Sequence, residues 1–136
     1  MYRCEFFILR ELVPPGVFES RGETAWELFD DRALMTLDRL RREFGPVIVN
    51  NWHSGGDRKW SGLRTQDSPY YSPTSQHTFG RAFDCLFADH HPRYVIDWIM
   101  KNQNEQVCEF ITAVEDVEDW LHFDTRNCRR IKFFRP

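Results

Sequence analysis

No two of the four cysteines in this 136-residue chain form a C-x-x-C pair. Cys4, Cys85, Cys108 and Cys128 lie far apart, which excludes a zinc knuckle or a thioredoxin-like redox motif on spacing. No apolar run is long enough to span a bilayer, so no membrane partner is expected. The net charge is only −3, and global electrostatics give no case for nucleic acid. Internal repeats, low-complexity tracts and an interdomain linker are missing. The opening residues, Met1-Tyr2-Arg3-Cys4-Glu5, put an acid before a short apolar patch and offer no small-residue cleavage site, unlike a secretory leader. The expectation is a chain cytoplasmic as synthesised, with reduced thiols, and with Cys85 buried among apolar neighbours such as Phe83 and Leu86.

What is present points to a packed globule. Hydrophobic residues make up 41% and aromatics 15% of the chain, enough for one domain over residues 1–136 with a core that needs no staples. A monomer is expected. Residues 5–13 are apolar but too short to settle as helix or strand, and Pro14-Pro15-Gly16 ends them. From Thr24 to Phe44 the apolar residues recur at helical spacing, with Thr24 as N-cap and Gly45-Pro46 as stop. Pro46 to Trp52 reads as a buried strand. The polar stretch from His53 to Thr74 has no period, and loops of that length are often functional. Gly80 to Phe87 alternates, with Ala82, Asp84 and Leu86 on one side and Phe83, Cys85 and Phe87 on the other. Pro92 to about Gln103 predicts a second helix, and Phe110–Val114 a strand. Asp119–Thr125 predicts another, with Trp120, His122 and Asp124 on one face, and Ile131–Phe134 a last edge strand. The fold class is α+β.

The chemistry concentrates in Ser75-Gln76-His77-Thr78-Phe79-Gly80-Arg81-Ala82-Phe83-Asp84 and Asp119-Trp120-Leu121-His122-Phe123-Asp124. Asp84 sits in an otherwise apolar strand, where a lone carboxylate is costly unless paired or bound to metal. Gly80 permits a tight turn that folds His77 back towards Asp84. Together with His122 they offer three zinc ligands and leave a fourth position open, the pattern of a catalytic zinc.

Ser75-x-His77-x-x-Gly80-x-Ala82-x-Asp84 resembles, at every fixed position, the S-x-H-x-x-G-x-A-x-D motif of the zinc D-Ala-D-Ala carboxypeptidases and related murein endopeptidases. The segment from Asp119 to Asp124 is similar to that family's second motif, an acid three residues before the third zinc ligand. Ser61-Gly62-Leu63-Arg64 is similar to its S-G-x-R segment. The resemblance spans roughly residues 46–126. It implies a small antiparallel sheet carrying the zinc, with packed helices, as in hedgehog and D,D-peptidase folds. It also implies His77, Asp84 and His122 as metal ligands and Asp119 as general base, with Glu118 and Glu115 as alternatives. Arg64 would bind a substrate carboxylate or carbonyl, and Ser75 would brace the ligand loop or touch substrate. On an ideal strand Asp119 faces away from His122, so a bulge or bend is needed there.

The implied activity is hydrolysis of a peptide bond in peptidoglycan stem peptides, by a murein endopeptidase or a D,D-carboxypeptidase. A phage-type lytic enzyme reaching the cell wall after release fits the short chain. The rival readings are a cytoplasmic D-Ala-D-Ala dipeptidase and a non-catalytic zinc-bearing module. Elsewhere, His53 reads as a surface histidine and His90-His91 as a solvated turn. The acids Glu115, Asp116, Glu118 and Asp119 read as a solvent-facing run, and the basic residues from Arg126 to Arg135 as a solvated edge that blocks strand pairing. Trp52, Trp60, Tyr70 and Tyr71 are groove or anchoring candidates.

Overall fold

The computed structural model describes all residues from 1 to 136. Its longest regular element is the helix α2, Asp31–Phe44, which buries Ala33, Leu34, Leu37, Leu40 and Phe44. Asp30 caps it, its carboxylate accepting from Arg32 N at 2.9 Å. It stops at Gly45, whose φ of 82° suits a residue without a side chain. The helix expected from Thr24 is broken at Phe29 and Asp30, which are extended. Gly22–Leu28 forms a 3-10 helix instead. The reason is tertiary: Phe29 turns inward to stack on Phe83 at 5.6 Å. Asp30 N bonds the Gly80 carbonyl at 3.0 Å, and its side chain is taken up by the cap. A short helix α1, Pro15–Arg21, precedes this region.

Residues 5–13 form neither strand nor long helix, only a 3-10 turn at Leu9–Glu11. The buried carboxylate of Asp38 holds the N-terminal segment, accepting from the Tyr2 hydroxyl at 2.6 Å, Glu5 N at 2.8 Å and Phe6 N at 3.1 Å.

Five strands form one sheet in the order β1-β2-β4-β3-β5. They are β1 (Val47–Ile48), β2 (Ala82–Phe87), β3 (Ala113–Glu115), β4 (Leu121–Asp124) and β5 (Lys132–Phe134). Every pairing is antiparallel except β3 with β5, which is parallel, so the sheet is mixed where the resemblance implied an antiparallel one. The chain reverses once between β3 and β4 and again before β5. The last strand therefore runs in the direction of β3, beside which it lies.

β1 is two residues long, not seven. Beyond Val49 the chain leaves the sheet because Asn50 and Asn51 turn their side chains to loop backbone: their Oδ1 atoms accept from Ser61 N and Arg58 N, both at 3.0 Å. The loop then covers the edge of β2 that β1 leaves free, with Asp84 N bonded to Ser61 O at 2.8 Å.

Helix α3, Pro92–Lys101, starts with Pro92 at its first turn and His91 as its cap, and buries Val95, Ile96 and Ile99. Helix α2 packs on β1 and β2, and α3 on β2 and β4. The helices thus cover one face of the sheet, where Phe83, Cys85, Leu121, Phe123 and Val114 are buried. All four cysteines are free thiols. No helix is long and apolar enough to cross a membrane.

Candidate metal centre

On the other face of the sheet, register decides which side chains meet. Asp84 pairs directly with His122, and Ala82 with Asp124. Across β3, Ala113 faces Asp124 and Val114 faces Phe123, so the next residue, Glu115, falls beside His122. A row Asp84–His122–Glu115 therefore crosses three strands, and side chains directly opposite stand about 5 Å apart at Cβ.

His77 arrives from the turn before β2. Gly80 carries a φ of 65°, and a side chain there would collide with the Leu28 carbonyl. Only glycine closes this turn against the entry to α2. Ser75 braces the turn, its Oγ accepting from His77 N at 3.3 Å.

Three ligand atoms converge. His77 Nε2 lies 3.3 Å from His122 Nδ1 and 3.3 Å from Asp84 Oδ1, and His122 Nδ1 lies 2.9 Å from Asp84 Oδ1. Zinc bonds of 2.0–2.1 Å at tetrahedral angles give ligand–ligand edges of about 3.3 Å, so this triangle has nearly the size zinc requires. The outward nitrogens are already occupied. His77 Nδ1 donates to the Gly62 carbonyl at 2.8 Å, and His122 Nε2 to Asp124 Oδ2 at 3.0 Å. Those bonds fix each ring, aiming the remaining nitrogen inward, as the supporting partners of ligand histidines do. His77 and His122 are both buried. The His77, Asp84 and His122 group can hold a metal ion.

Charge follows the same pattern. Burial would raise the Asp84 carboxyl, but the His77 and His122 imidazoles overcome it and hold it well below the usual carboxylate range. Burial would lower His122, but its hydrogen bonds to Asp124 and Asp84, with the negative charge of Asp84 and Glu115, push it up to about 9. Burial opposes ionisation of Asp124 as well, and is outweighed by Arg126 and His122, so its carboxyl is lowered.

The site opens into a cleft of about 710 Å3 lined by Trp60, Arg64, Tyr70, Ser75, Glu115 and Trp120, among others. Arg64 is less free than a substrate clamp would be. Its Nη2 donates to Asp84 Oδ2 at 2.8 Å and its Nε to Trp60 O at 2.8 Å, which turns the other carboxylate oxygen, Oδ1, towards the histidines. Asp119 is exposed, at a bend before β4, and the cleft lining includes Glu115 and Trp120 but not Asp119. Asp116 and Glu118 pair with Arg93 at 2.7 and 3.8 Å, so the acidic run splits between α3 and the cleft.

Two residues escaped the sequence reading. On sequence alone Asp124 only shares a face with His122, and Arg126 only belongs to a solvated basic edge. Arg126 instead grips the fully buried Asp124 through both oxygens. The spacing carries a signal: His122 and Asp124 alternate on the strand pattern, and Arg126 follows two positions on, just past its end. His53 is exposed, His90 stacks on Tyr94 at 5.0 Å, and Trp52 anchors its loop by donating to Val13 O at 2.9 Å. Compared with protein-family models, with curated proteins and with solved structures, the chain matches none of them.

Proposed function

We propose that this chain is a zinc-dependent peptidase acting on peptidoglycan stem peptides, a murein endopeptidase or D,D-carboxypeptidase with a hedgehog/D,D-peptidase-like fold. The observation that carries the reading is the zinc-sized triangle of His77 Nε2, Asp84 Oδ1 and His122 Nδ1 at the floor of a cleft, with His77 and Asp84 from the S-x-H-x-x-G-x-A-x-D pattern and His122 from the Asp119–Asp124 segment. When bound, zinc supplies Lewis acidity, which acidifies water and polarises a carbonyl.

The chain supplies the rest. Two neutral imidazoles and one carboxylate would leave a bound divalent ion a net positive charge, to which the carbonyl oxygen of a peptide bond would be drawn. Arg64 holds Asp84 to one ligand oxygen, and its unspent Nη1 can meet a substrate carboxylate or carbonyl. Ser75 holds the His77 turn. A carboxylate must take a proton from water and return it to the leaving amine. Asp119 holds this role by resemblance. Glu115 is the second candidate, favoured by its place in the cleft across from His122. The cleft exceeds what two alanines fill, which favours a longer stem peptide over a free dipeptide.

Purified protein incubated with defined muropeptides, with zinc and with chelator, and mapped by mass, tests the reading: cleavage with zinc alone is expected, and no cleavage under any metal condition sinks it. Asp119→Asn and Glu115→Gln separate the two acids. The variant that removes the base should lose about 10²–10⁴-fold in turnover with zinc content unchanged. A protein that binds muropeptide and zinc but cuts nothing is the non-catalytic module.

A further inference from the structure

We propose that Asp124 and Arg126 are positioning residues for the metal group, which together fix the His122 ring so that Nδ1, not Nε2, faces Asp84 and His77. The inference rests on the metal reading above but concerns two residues outside the ligand set. A histidine ring has two nitrogens, and a metal site works with only one of them aimed inward. The choice is made by whatever holds the other. The two ligand histidines make that choice by different means. His77 Nδ1 is held by the backbone carbonyl of Gly62 at 2.8 Å, a partner that no side-chain substitution at that acceptor removes. His122 Nε2 is held by a side chain, Asp124 Oδ2, at 3.0 Å.

A carboxylate bonded to one ring N–H alone is free to swing. Arg126 takes that freedom away. Its Nε donates to Oδ1 at 2.8 Å, its Nη2 to Oδ2 at 2.5 Å, and its backbone N to Oδ1 at 3.2 Å. The fork engages both oxygens, so Oδ2 is shared between guanidinium and imidazole. The guanidinium is seated in turn, 4.8 Å above the Phe134 ring, and that ring meets His122 edge-on at 6.1 Å. Space for the arrangement comes from the ladder, since the residues opposite Asp124 on both neighbouring strands are alanines, Ala82 and Ala113. Phe134, Arg126, Asp124 and His122 thus form a closed ring of contacts on the wall of the cleft, and through Asp124 it sets the aim of Nδ1.

An ion pair that only neutralises buried charge predicts something else: its loss would lower the unfolding temperature and leave metal affinity alone. The test is zinc titration by competition with a chromophoric chelator on the unaltered protein, Asp124→Asn, Arg126→Ala and Arg126→Lys, with nitrogen-15 spectra of the histidine rings. The expected result is a zinc-loaded protein with the His122 proton on Nε2. Affinity should be about 10- to 100-fold weaker in Asp124→Asn and Arg126→Ala, partly recovered in Arg126→Lys, with the His122 ring sampling both tautomers in Arg126→Ala. If Asp124→Asn does not fold, the two Arg126 variants carry the test. Variants that bind zinc as tightly as the unaltered protein with the same ring spectrum overturn the positioning role, whatever their unfolding temperature, and leave the metal reading standing. An unaltered protein that binds no zinc overturns both.

Discussion

Strands β2, β4 and β3 present Phe83, Cys85, Leu121, Phe123 and Val114 on one side, and Asp84, His122, Asp124 and Glu115 on the other. Both faces are buried along the central strand, where Phe123 and Asp124 are each 0% exposed, but the polar face opens at Asp84 and Glu115 into the cleft. They differ in what burial demands. The apolar face needs volume filled, and any well-shaped hydrocarbon satisfies it. The polar face needs every charge answered by a particular atom at a particular distance, because an unanswered one costs far more than a lost methyl group. One face gives the strands their rigidity, and the other uses that rigidity to hold three ligand atoms at zinc spacing.

Changes to the two faces should fail differently. The largest effect is expected from Asp84→Ala, which removes a ligand and leaves Arg64 and two imidazoles without their shared carboxylate. Stoichiometric zinc binding, measured by calorimetry, should disappear. Phe123→Ala should cost about 3–5 kcal/mol in urea unfolding, a large part of the roughly 5–15 kcal/mol that holds a domain of this kind together. The molecules that stay folded should still bind zinc. If Phe123→Ala abolished binding with little loss of stability, the division of labour between the faces would be wrong.

That division was half legible in the sequence. The alternation from Ala82 to Phe87 and from Trp120 to Asp124 assigns each residue its face without any knowledge of the register. The structure adds the pairing of Asp84 with His122. Gly80 marks a tight turn on sequence, and its φ of 65° and close approach to Leu28 give the cause. What sequence could not show were the effects of distant partners. Helical spacing runs through Trp26 and Phe29, yet Phe29 is pulled to Phe83 and the helix begins only at Asp31. The loop from His53 to Thr74 has no period because side chains, not a repeating backbone pattern, knit it to Val49, Asn50 and Asp84. The parallel pairing of β5 depends on a chain reversal that no local pattern encodes.

Acidity offers a gentler way to separate the faces. His122 in the metal-free protein is raised from 6.5 to about 9, so its imidazolium contributes stability that is fully present below about pH 6.5 and is lost as pH rises through about 9. Unfolding temperature in chelator should therefore fall across that window, and His122→Ala should flatten the fall. Zinc displaces the same proton, so apparent zinc affinity should climb over the same range. The smallest effect belongs to the surface. Arg135, 3.4 Å from Asp116 and largely exposed, should change stability by less than about 0.5 kcal/mol when replaced by alanine. A larger loss would mean that the β5 edge supports the site more than the ladder indicates.

The central claim is tested most directly by a crystal grown with zinc and measured at the zinc absorption edge. The expected result is one anomalous peak about 2.0–2.1 Å from His77 Nε2, His122 Nδ1 and an Asp84 oxygen, with Asp124 still bonded to His122 Nε2. Zinc bound elsewhere, or no peak among these three side chains, would contradict the account.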